Sequence, residues 1–516
     1  MFSNRLLPPR TEQIGLGWLV GNTNTLQIRI AGGTLVNVPA DLGSITTYVL
    51  LEQERWFEKE ARFLERWVRP GMTAIDIGAN HGVYSLLLAR LVGETGRVYA
   101  YEPTSEIRRR LEQSRAANGV RQLEIIPFAL SDGTREGFLV FGGSSELNAL
   151  GDEGPGETVQ VTSLDLEQAT RKWNPPDFVK LDAEGEEERI LEGGKRFFAE
   201  NSPLVMFEIK AGTKVNAGLV QAFKALGYGL YRQVPSIPLL VPFAETEPPD
   251  PYELNLFAAK PDRAAQLAQE ALLLAQGQRW TETDDDMALA MEALRGQQFA
   301  GGFAAAFGDD VRIHPDYRRA LAGIAAFRNA ESEPGRRMAG LWFALQVLSE
   351  LCRRQPTLPR LLTLARAASD YGARGAAVKV LTDIVKGLDP GSLQVGEPFW
   401  PPCPRYDALP VGDKPGAWLL ASTIEQLELE RAHSSAFATP LQQLEWLCRT
   451  PFASAEMHRR RILHAARNRA LPVVPEQLAA ESEDNLNFDI WRRGGVPGTR
   501  LSRSDDDHET VGVTRP

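Results

Sequence analysis

Hydrophobic and polar positions follow two periods in the first 260 residues. Residues 25–38 (TLQIRIAGGTLVNV) alternate apolar and polar, which predicts a β-hairpin turning at Gly32 and Gly33. Residues 49–67 place Leu51, Trp56, Phe57, Phe63, Leu64 and Trp67 at helical spacing, and Pro70-Gly71 ends that helix. Short apolar runs then alternate with helical stretches. Strands are predicted at 73–77, 97–101, 123–128, 177–182 and 204–209, with helices at 82–92, 105–117, 185–199 and 214–226. This alternation implies βαβ units and a parallel sheet buried between helices. Two further strands, 138–141 and 158–162, are inserted before 177. Strands 229–234 and 253–259 predict an antiparallel hairpin at the sheet edge, and the prolines of 235–251 argue against regular structure between them.

After Lys260-Pro261 the strand pattern stops. Helical spacing dominates at 263–276, 284–294, 336–353, 361–370, 374–387, 416–431 and 455–468. The stretch 361–385 reads as a helix hairpin turning at Gly372 and Gly375, with small and large apolar residues alternating as in tetratricopeptide-like pairs. One legible pair falls short of the three a solenoid needs, so an irregular helical bundle is the plainer expectation. The proline-rich stretch 398–410 interrupts the helices, and the polar end of the chain is expected to be disordered. The expected division is 1–70, an N-terminal hairpin and helix; 71–262, an α/β domain; 263–480, a helical domain; and 481–516, a tail.

Composition narrows the class. With 57 basic against 67 acidic side chains the formal net charge is −10, which argues against nucleic acid as the main partner. The 43% hydrophobic and 24% charged fractions fit a soluble globular chain. Cys352, Cys403 and Cys448 have neither disulfide-framework nor zinc spacing. A reducing, cytoplasmic location is therefore expected, and no apolar run is long enough to span a membrane.

The sharpest chemical signal is the run Asp76-Ile77-Gly78-Ala79-Asn80-His81-Gly82, where a strand gives way to a helix. Glycine at such a turn lets the backbone approach a ligand, at the sheet edge where α/β folds bind ligands. A pyrophosphate fingerprint would read G-x-G-x-x-G. Here the loop is G-A-N-H-G with an acid at the strand end, and a carboxylate suits a cationic ligand better. S-adenosylmethionine carries a sulfonium and an ammonium, so the loop favours it over NAD. The next strand ends Tyr101-Glu102-Pro103, placing an acid where it can accept hydrogen bonds from ribose hydroxyls. Strand 177–182 carries Lys180, which is costly to bury unless paired. Lys180 and Asp182 share a face, and Glu184 and Glu208 are the expected neighbours. Glu186, Glu187 and Glu188 fall in a first helical turn, where acids favour the dipole, and receive no chemical role.

These stretches resemble the FkbM family of S-adenosylmethionine-dependent methyltransferases. The resemblance rests on GMTAIDIGANHGVYS, GRVYAYEP, FALSD, VKLDAEGEEERILEGG and VMFEIK, in order across about residues 50–260. It implies a class I methyltransferase fold, a Rossmann-like doubly wound sheet, ahead of the helical C-terminal region. It implies that Asp76, Gly78 and Asn80, with Ala79 between them, line the methionine part of the cofactor. Glu102, followed by Pro103, would bind ribose; Ala129 and Asp132 would lie near adenine; Tyr84 would shape the same pocket. The family is associated with O-methylation of sugars, polyketides and other secondary metabolites, so a small-molecule or glycan acceptor is expected. Asp182 or Glu184 is the expected base, with Lys180 or Glu208 holding the geometry. No metal site is assigned, although strand-end carboxylates can also hold a metal that orients a diol. Two positions depart from the family: His81, where the family often has an apolar residue and where a side chain can face solvent, so that it receives no catalytic role, and Lys210, where the family often has His. Two rival readings are an NAD-dependent sugar oxidoreductase, disfavoured by Asp76 and the missing third glycine, and a scaffold whose helical half recruits a protein partner or dimerises.

Overall fold

The computed structural model describes residues 24–211, 214–244, 250–274, 280–308, 310–391, 393–470, 473–494 and 502–503. Contacts divide the chain into two units. The first comprises residues up to Tyr228, with Ser434–Thr439 and the chain from Ser454 onward; the second comprises Gly229–His433 and Pro440–Ala453.

The first unit opens with the hairpin β1 (Thr25–Ile30) and β2 (Thr34–Pro39), paired Ile30 to Thr34 across Gly32 and Gly33, both at positive φ. The helical pattern of 49–67 becomes two helices, α1 (Ile45–Gln53) and α2 (Glu60–Trp67). The break falls at Glu54, whose φ of 55° is left-handed, which no helix interior accommodates. A parallel sheet follows, from β3 (Thr73–Ile77), β4 (Arg97–Tyr101) and β5 (Leu123–Ile126), then, after an inserted sheet, β10 (Phe178–Leu181) and β11 (Leu204–Glu208). Their spatial order is β11-β10-β3-β4-β5. The chain thus starts in the middle and winds outward in both directions, which puts the switch point between β3 and β10. Helices α3 (Val83–Val92), α4 (Ser105–Asn118), α5 (Leu164–Arg171), α6 (Glu187–Gly193), α7 (Lys195–Glu200) and α8 (Ala217–Ala225) connect the strands. All five residues of β3 and all four of β10 are buried, as expected for strands covered on both faces.

The predicted strand 123–128 divides after Ile126. Its end becomes β6 (Phe128–Leu130), which joins β7 (Arg135–Val140), β8 (Ala149–Gly151) and β9 (Gly156–Thr162) in a separate four-stranded sheet. This insert buries its own small core of Ala129, Leu139, Val159 and Val161, with Leu150 packed against it.

The second unit holds β14 (Gly229–Val234), antiparallel to both β15 (Leu239–Pro242) and β16 (Asn255–Ala259); two short strands, β12 (Lys210–Ala211) and β13 (Lys214–Val215), precede them in the first. Strand β15 corrects the expectation that the prolines of 235–251 exclude regular structure. Pro235 and Pro238 fall outside it and Pro242 is its last residue, positions where a missing N–H breaks no inner ladder. After α9 (Pro261–Gln269), helices α10 (Asp284–Arg295), α11 (Ala304–Phe307), α12 (Pro315–Arg328), α13 (Pro334–Arg354), α14 (Leu358–Tyr371), α15 (Arg374–Gly387), α16 (Pro415–Arg431) and α17 (Gln443–Leu447) follow. From α12 to α17 each helix packs on the next in chain order. Gly323 and Gly340 let α12 and α13 cross closely, since a Cβ on Gly323 would lie 2.5 Å from the Gly340 carbonyl oxygen. The β14 strand joins these helices through Arg232, which donates to the Tyr371 carbonyl at 3.0 Å, and the next loop through Ser236, which donates to the Asp370 carbonyl at 2.5 Å. Those bonds explain why residues 229–259 group with the helices and not before a boundary at 262.

The chain then returns to the first unit through α18 (Ala455–Arg467). Asn485, Asn487 and Trp491 are buried there, so the expected disordered tail does not begin at 481. Residues 495–501 and 504–516 of that tail lie outside the described residues. Among the described residues no helix is long and apolar enough to cross a membrane.

Candidate active site

At the carboxyl ends of β3, β4 and β10 the first unit has a pocket walled by the loop after β3, by the inserted sheet, and by Thr46 and Trp56. The loop owes its shape to three left-handed residues, Gly78, Asn80 and Gly82. Gly78 has φ +76°, and a Cβ there would lie 1.8 Å from the Asp182 carbonyl oxygen, so only glycine fits between the ends of β3 and β10. Asn80 takes φ 49°. The backbone N–H groups of Gly78 and Ala79 donate to the Tyr101 carbonyl, and that of Asn80 donates to Glu102 Oε2 at 2.9 Å. Glu102 Oε1 accepts from Thr104 N at 2.8 Å. Both oxygens are thus held by backbone amides in a buried carboxylate at the rim of the pocket.

Asp76 is fully buried. Ser85 donates to its Oδ2 at 2.5 Å, while Oδ1 has no partner among the described residues. Burial raises its pKa, against the pull of Lys180 and Ser85. Register explains the proximity, since Lys180 stands opposite Asp76 on the neighbouring strand. Lys180 Nζ donates to Asp182 Oδ2 at 2.6 Å and lies 5.4 Å from the Tyr84 ring centroid. Burial pulls the Lys180 pKa down, but the carboxylates of Asp182, Asp76 and Glu58 outweigh it and hold the ammonium charged. Tyr84 in turn donates to Glu58 Oε2 at 2.6 Å.

Asp182, Glu184 and Glu208 offer oxygens that all lie within 4.8 Å of one another. Burial, then repulsion from Asp182, raises both Glu184 and Glu208 to about 8. Glu184 sits at φ 46°, the second strained non-glycine residue of the pocket. Like charges this close favour keeping a proton among them, which makes the cluster a proton acceptor and donor close to neutral pH.

Ala129 and Pro103 line the pocket with Phe128, Leu130, Leu139 and Leu150, an apolar wall of the kind a planar base occupies. Three sequence expectations change. Asp132 is exposed, pairs with Arg135 at 2.7 Å, and lies outside the pocket lining, because the chain leaves the wall at Ser131. His81 does not face solvent. It is buried in the pocket wall, its Nε2 is 3.4 Å from Ser145 Oγ, and burial lowers it to about 3, so the imidazole is neutral. Glu186 also lines the pocket and accepts from Ser131 Oγ at 2.5 Å, whereas Glu187 accepts from Ala183 N and Gly185 N at the start of α6, the role expected of an acid at a helix start. The Lys210 side chain lies outside the described ones.

Sequence reasoning missed Thr46, Trp56, Glu58, Ser85 and Glu146. Trp56 and Glu58 sit in the segment the periodicity assigned to one continuous helix. Ser145, Glu146 and Asn148 belong to a short polar connection with no period at all.

Among solved structures, the methyltransferase FkbM from Methylobacillus flagellatus KT is 17% identical, with a TM-score of 0.28, over 40% of this chain and 48% of that one. The present chain therefore spans about half the length of that structure. A SAM-dependent methyltransferase from Aquifex aeolicus is 16% identical at a TM-score of 0.26, over 42% of this chain and 97% of that one. A putative methyltransferase from Streptococcus mutans in complex with SAH is 12% identical at a TM-score of 0.23, over 40% of this chain and 98% of that one. Residues 76–230 match the methyltransferase FkbM domain, and this matched stretch carries every strand-end acid of the pocket.

Proposed function

We propose that this chain is an S-adenosylmethionine-dependent methyltransferase that O-methylates a hydroxyl of a sugar, glycan or secondary metabolite. The observation that carries the reading is the pair of buried acids, Asp76 and Glu102, on adjacent strand ends around the Gly78 turn. Asp76, Gly78, Ala79 and Asn80 would hold the methionine end, Glu102 the ribose, and the wall of Pro103, Phe128, Ala129, Leu139 and Leu150 the adenine. When bound, the cofactor supplies an electrophilic methyl on a sulfonium.

The chain's own work is alignment and proton removal. Lys180 fixes the Asp182 carboxylate through its short ion pair, and Asp182 accepts the acceptor hydroxyl's proton. Glu184 and Glu208 lie near enough to share that proton and pass it outward. Trp56 lines the pocket, its ring tilted 40° to that of Phe57 at 4.7 Å, and Phe57 meets the exposed Phe437 edge-on at 5.5 Å. Aromatic faces beside carboxylates suit a ligand with an apolar face and several hydroxyls, as a sugar has.

Asp182→Asn is expected to keep cofactor affinity, measured by calorimetry, and to lose about 10²–10⁴-fold in kcat. Full turnover in that variant sinks the base assignment. With Glu184 and Glu208 at about 8, kcat should rise with pH up to that value, and Glu208→Gln should move the limb lower by removing a neighbouring charge. The same groups affect stability with the opposite sign. Their folded pKa lies above the ordinary 4.5, so the native state binds more protons than the unfolded chain between those values. Their stabilising contribution is therefore fully present at low pH and lost as pH rises through about 8. A melting temperature that falls over this range, and falls less in Glu184→Gln, is the expected result.

A further inference from the structure

The connection between β7 and β8, residues 141–148 (FGGSSELN), crosses the pocket without belonging to any strand. It gives Ser145, Glu146 and Asn148 to the pocket lining, and β8 adds Ala149 and Leu150. Only its stem is sheet, through the pairs Phe138–Gly151, Leu139–Leu150 and Val140–Ala149. The connection is folded back on itself. Gly142 N donates to Asn148 Oδ1 at 3.0 Å, and a Cβ on Gly142 would lie 2.5 Å from Leu147, so the turn closes only on glycine.

Beyond the stem its side chains reach three separate elements. Ser145 Oγ is 3.4 Å from His81 Nε2 in the cofactor loop, and Asn148 Nδ2 is 3.5 Å from Thr104 Oγ1 before α4. Both are long for hydrogen bonds. The third contact is stronger. Glu146 Oε1 accepts from Thr46 N at 3.1 Å and from the Thr46 hydroxyl, and Oε2 accepts from Ser144 Oγ. Thr46 is in the first turn of α1, where Ser44 caps Thr47 N at 3.4 Å. A carboxylate at a helix N-terminus satisfies an orphan N–H and meets the positive end of the dipole. Phe141 and Leu147, by contrast, are exposed. The connection is thus a compact flap anchored at its base, where Phe141 N donates to the Pro155 carbonyl at 2.7 Å, with weak contacts on two sides and one charge-assisted contact on the third.

We propose that residues 141–148 form a lid on the cofactor pocket, latched to α1 by Glu146, and that cofactor enters and leaves when this latch opens. The proposal rests on the cofactor reading above. Opening needs no change in the parallel sheet: it breaks the Glu146 bonds to Thr46 and the two long contacts, and the flap turns on the three-pair stem. Such gating loops commonly set the rate of product release.

The test is the release rate of S-adenosylhomocysteine, followed by stopped-flow tryptophan fluorescence, with Trp56 in the pocket as the reporter. Glu146→Ala, which loses both bonds to Thr46, should release it at least about tenfold faster, the equivalent of one hydrogen bond to a charged group. Glu146→Gln should fall between, because it keeps a carbonyl acceptor for Thr46 N. Amide hydrogen exchange in 141–148 should quicken in Glu146→Ala even without cofactor. Wild-type release and wild-type exchange in a folded Glu146→Ala overturn the lid. If that variant does not fold, Thr46→Val, which removes only the hydroxyl donor, carries the same two readouts. If wild type binds no S-adenosylhomocysteine by calorimetry, the cofactor reading fails, and the exchange result still decides whether Glu146 holds the flap.

Discussion

Replacing Arg460 by alanine should destabilise the first unit by about 3–5 kcal/mol, the cost of leaving a buried charge without its partner. The stranded charge is Glu52. Its side chain is 0% exposed, and Arg460, at 1%, lies 3.3 Å from it. Ser435 N donates to both Glu52 oxygens at 3.1 Å, and Ser435 Oγ meets Tyr48 Oη at 3.0 Å. Next to it, Arg459 Nε donates to the Glu52 carbonyl at 2.8 Å. Glu54, the left-handed residue that ends α1, accepts from Leu486 N at 2.7 Å and Asn487 N at 2.9 Å. Asn487 closes the set by exchanging two hydrogen bonds with the backbone of Arg29 in β1. The N-terminal hairpin and α1 are therefore held by residues more than 380 positions later in the chain. A chain cut after residue 453 keeps Ser435 but loses all of α18 with Arg459 and Arg460, and Leu486 and Asn487, at once, against a total stability of only about 5–15 kcal/mol for a typical domain. It should fail to give a cooperative thermal transition for the first unit. So should a chain cut after 262, where sequence alone suggests a boundary. Chemical denaturation of Arg460→Ala and thermal scans of both truncations check this; a truncated chain that melts cooperatively at the full-length temperature refutes it.

Sequence reading succeeded and failed for separate reasons. The strands β3, β4, β10 and β11 were legible as short apolar runs, because a strand covered on both faces is apolar nearly throughout, and the helices between them because burial of one face imposes a period. Asp76, Gly78, Glu102, Lys180 and Asp182 were legible because strand ends next to glycine turns are where ligands bind, and because a lysine in a buried strand demands a partner. What sequence did not reveal lies in contacts without a period. Glu146 is one acid in a polar connection, and its bond to Thr46 spans 100 positions. Glu52 sits in α1, which is buried nearly all round, and Arg460 in the amphipathic α18, and nothing local says that they face each other. The burial of His81 was not legible, because one position in a loop carries no information on burial. Asp132 was placed by analogy alone, and its pairing with Arg135 takes it to the surface.

Asp76→Ala should lower affinity for S-adenosylmethionine by at least about 100-fold, equivalent to about 2.7 kcal/mol. A charge-assisted hydrogen bond in a water-poor site is worth roughly 1.5–3 kcal/mol. The carboxylate earns that value from its setting. It is fully buried, one oxygen is fixed by Ser85, and the other has no partner among the described residues. Desolvation disfavours its charge, and Lys180, opposite it across the strands, restores part of the loss. A cationic ligand would restore more, so binding should favour the ionised form and weaken as pH falls through the raised pKa. Removing Asp76 also strips Lys180 of one of its carboxylates, which predicts some loss of stability along with the loss of affinity. Asp76→Asn narrows the comparison. It keeps the shape and a partner for Ser85 and removes only the charge, so it should lose less stability than Asp76→Ala and still bind poorly. Calorimetric titration of both variants, each with its melting temperature, decides the matter. Wild-type affinity in Asp76→Asn would mean that this buried charge serves the sheet and not the cofactor.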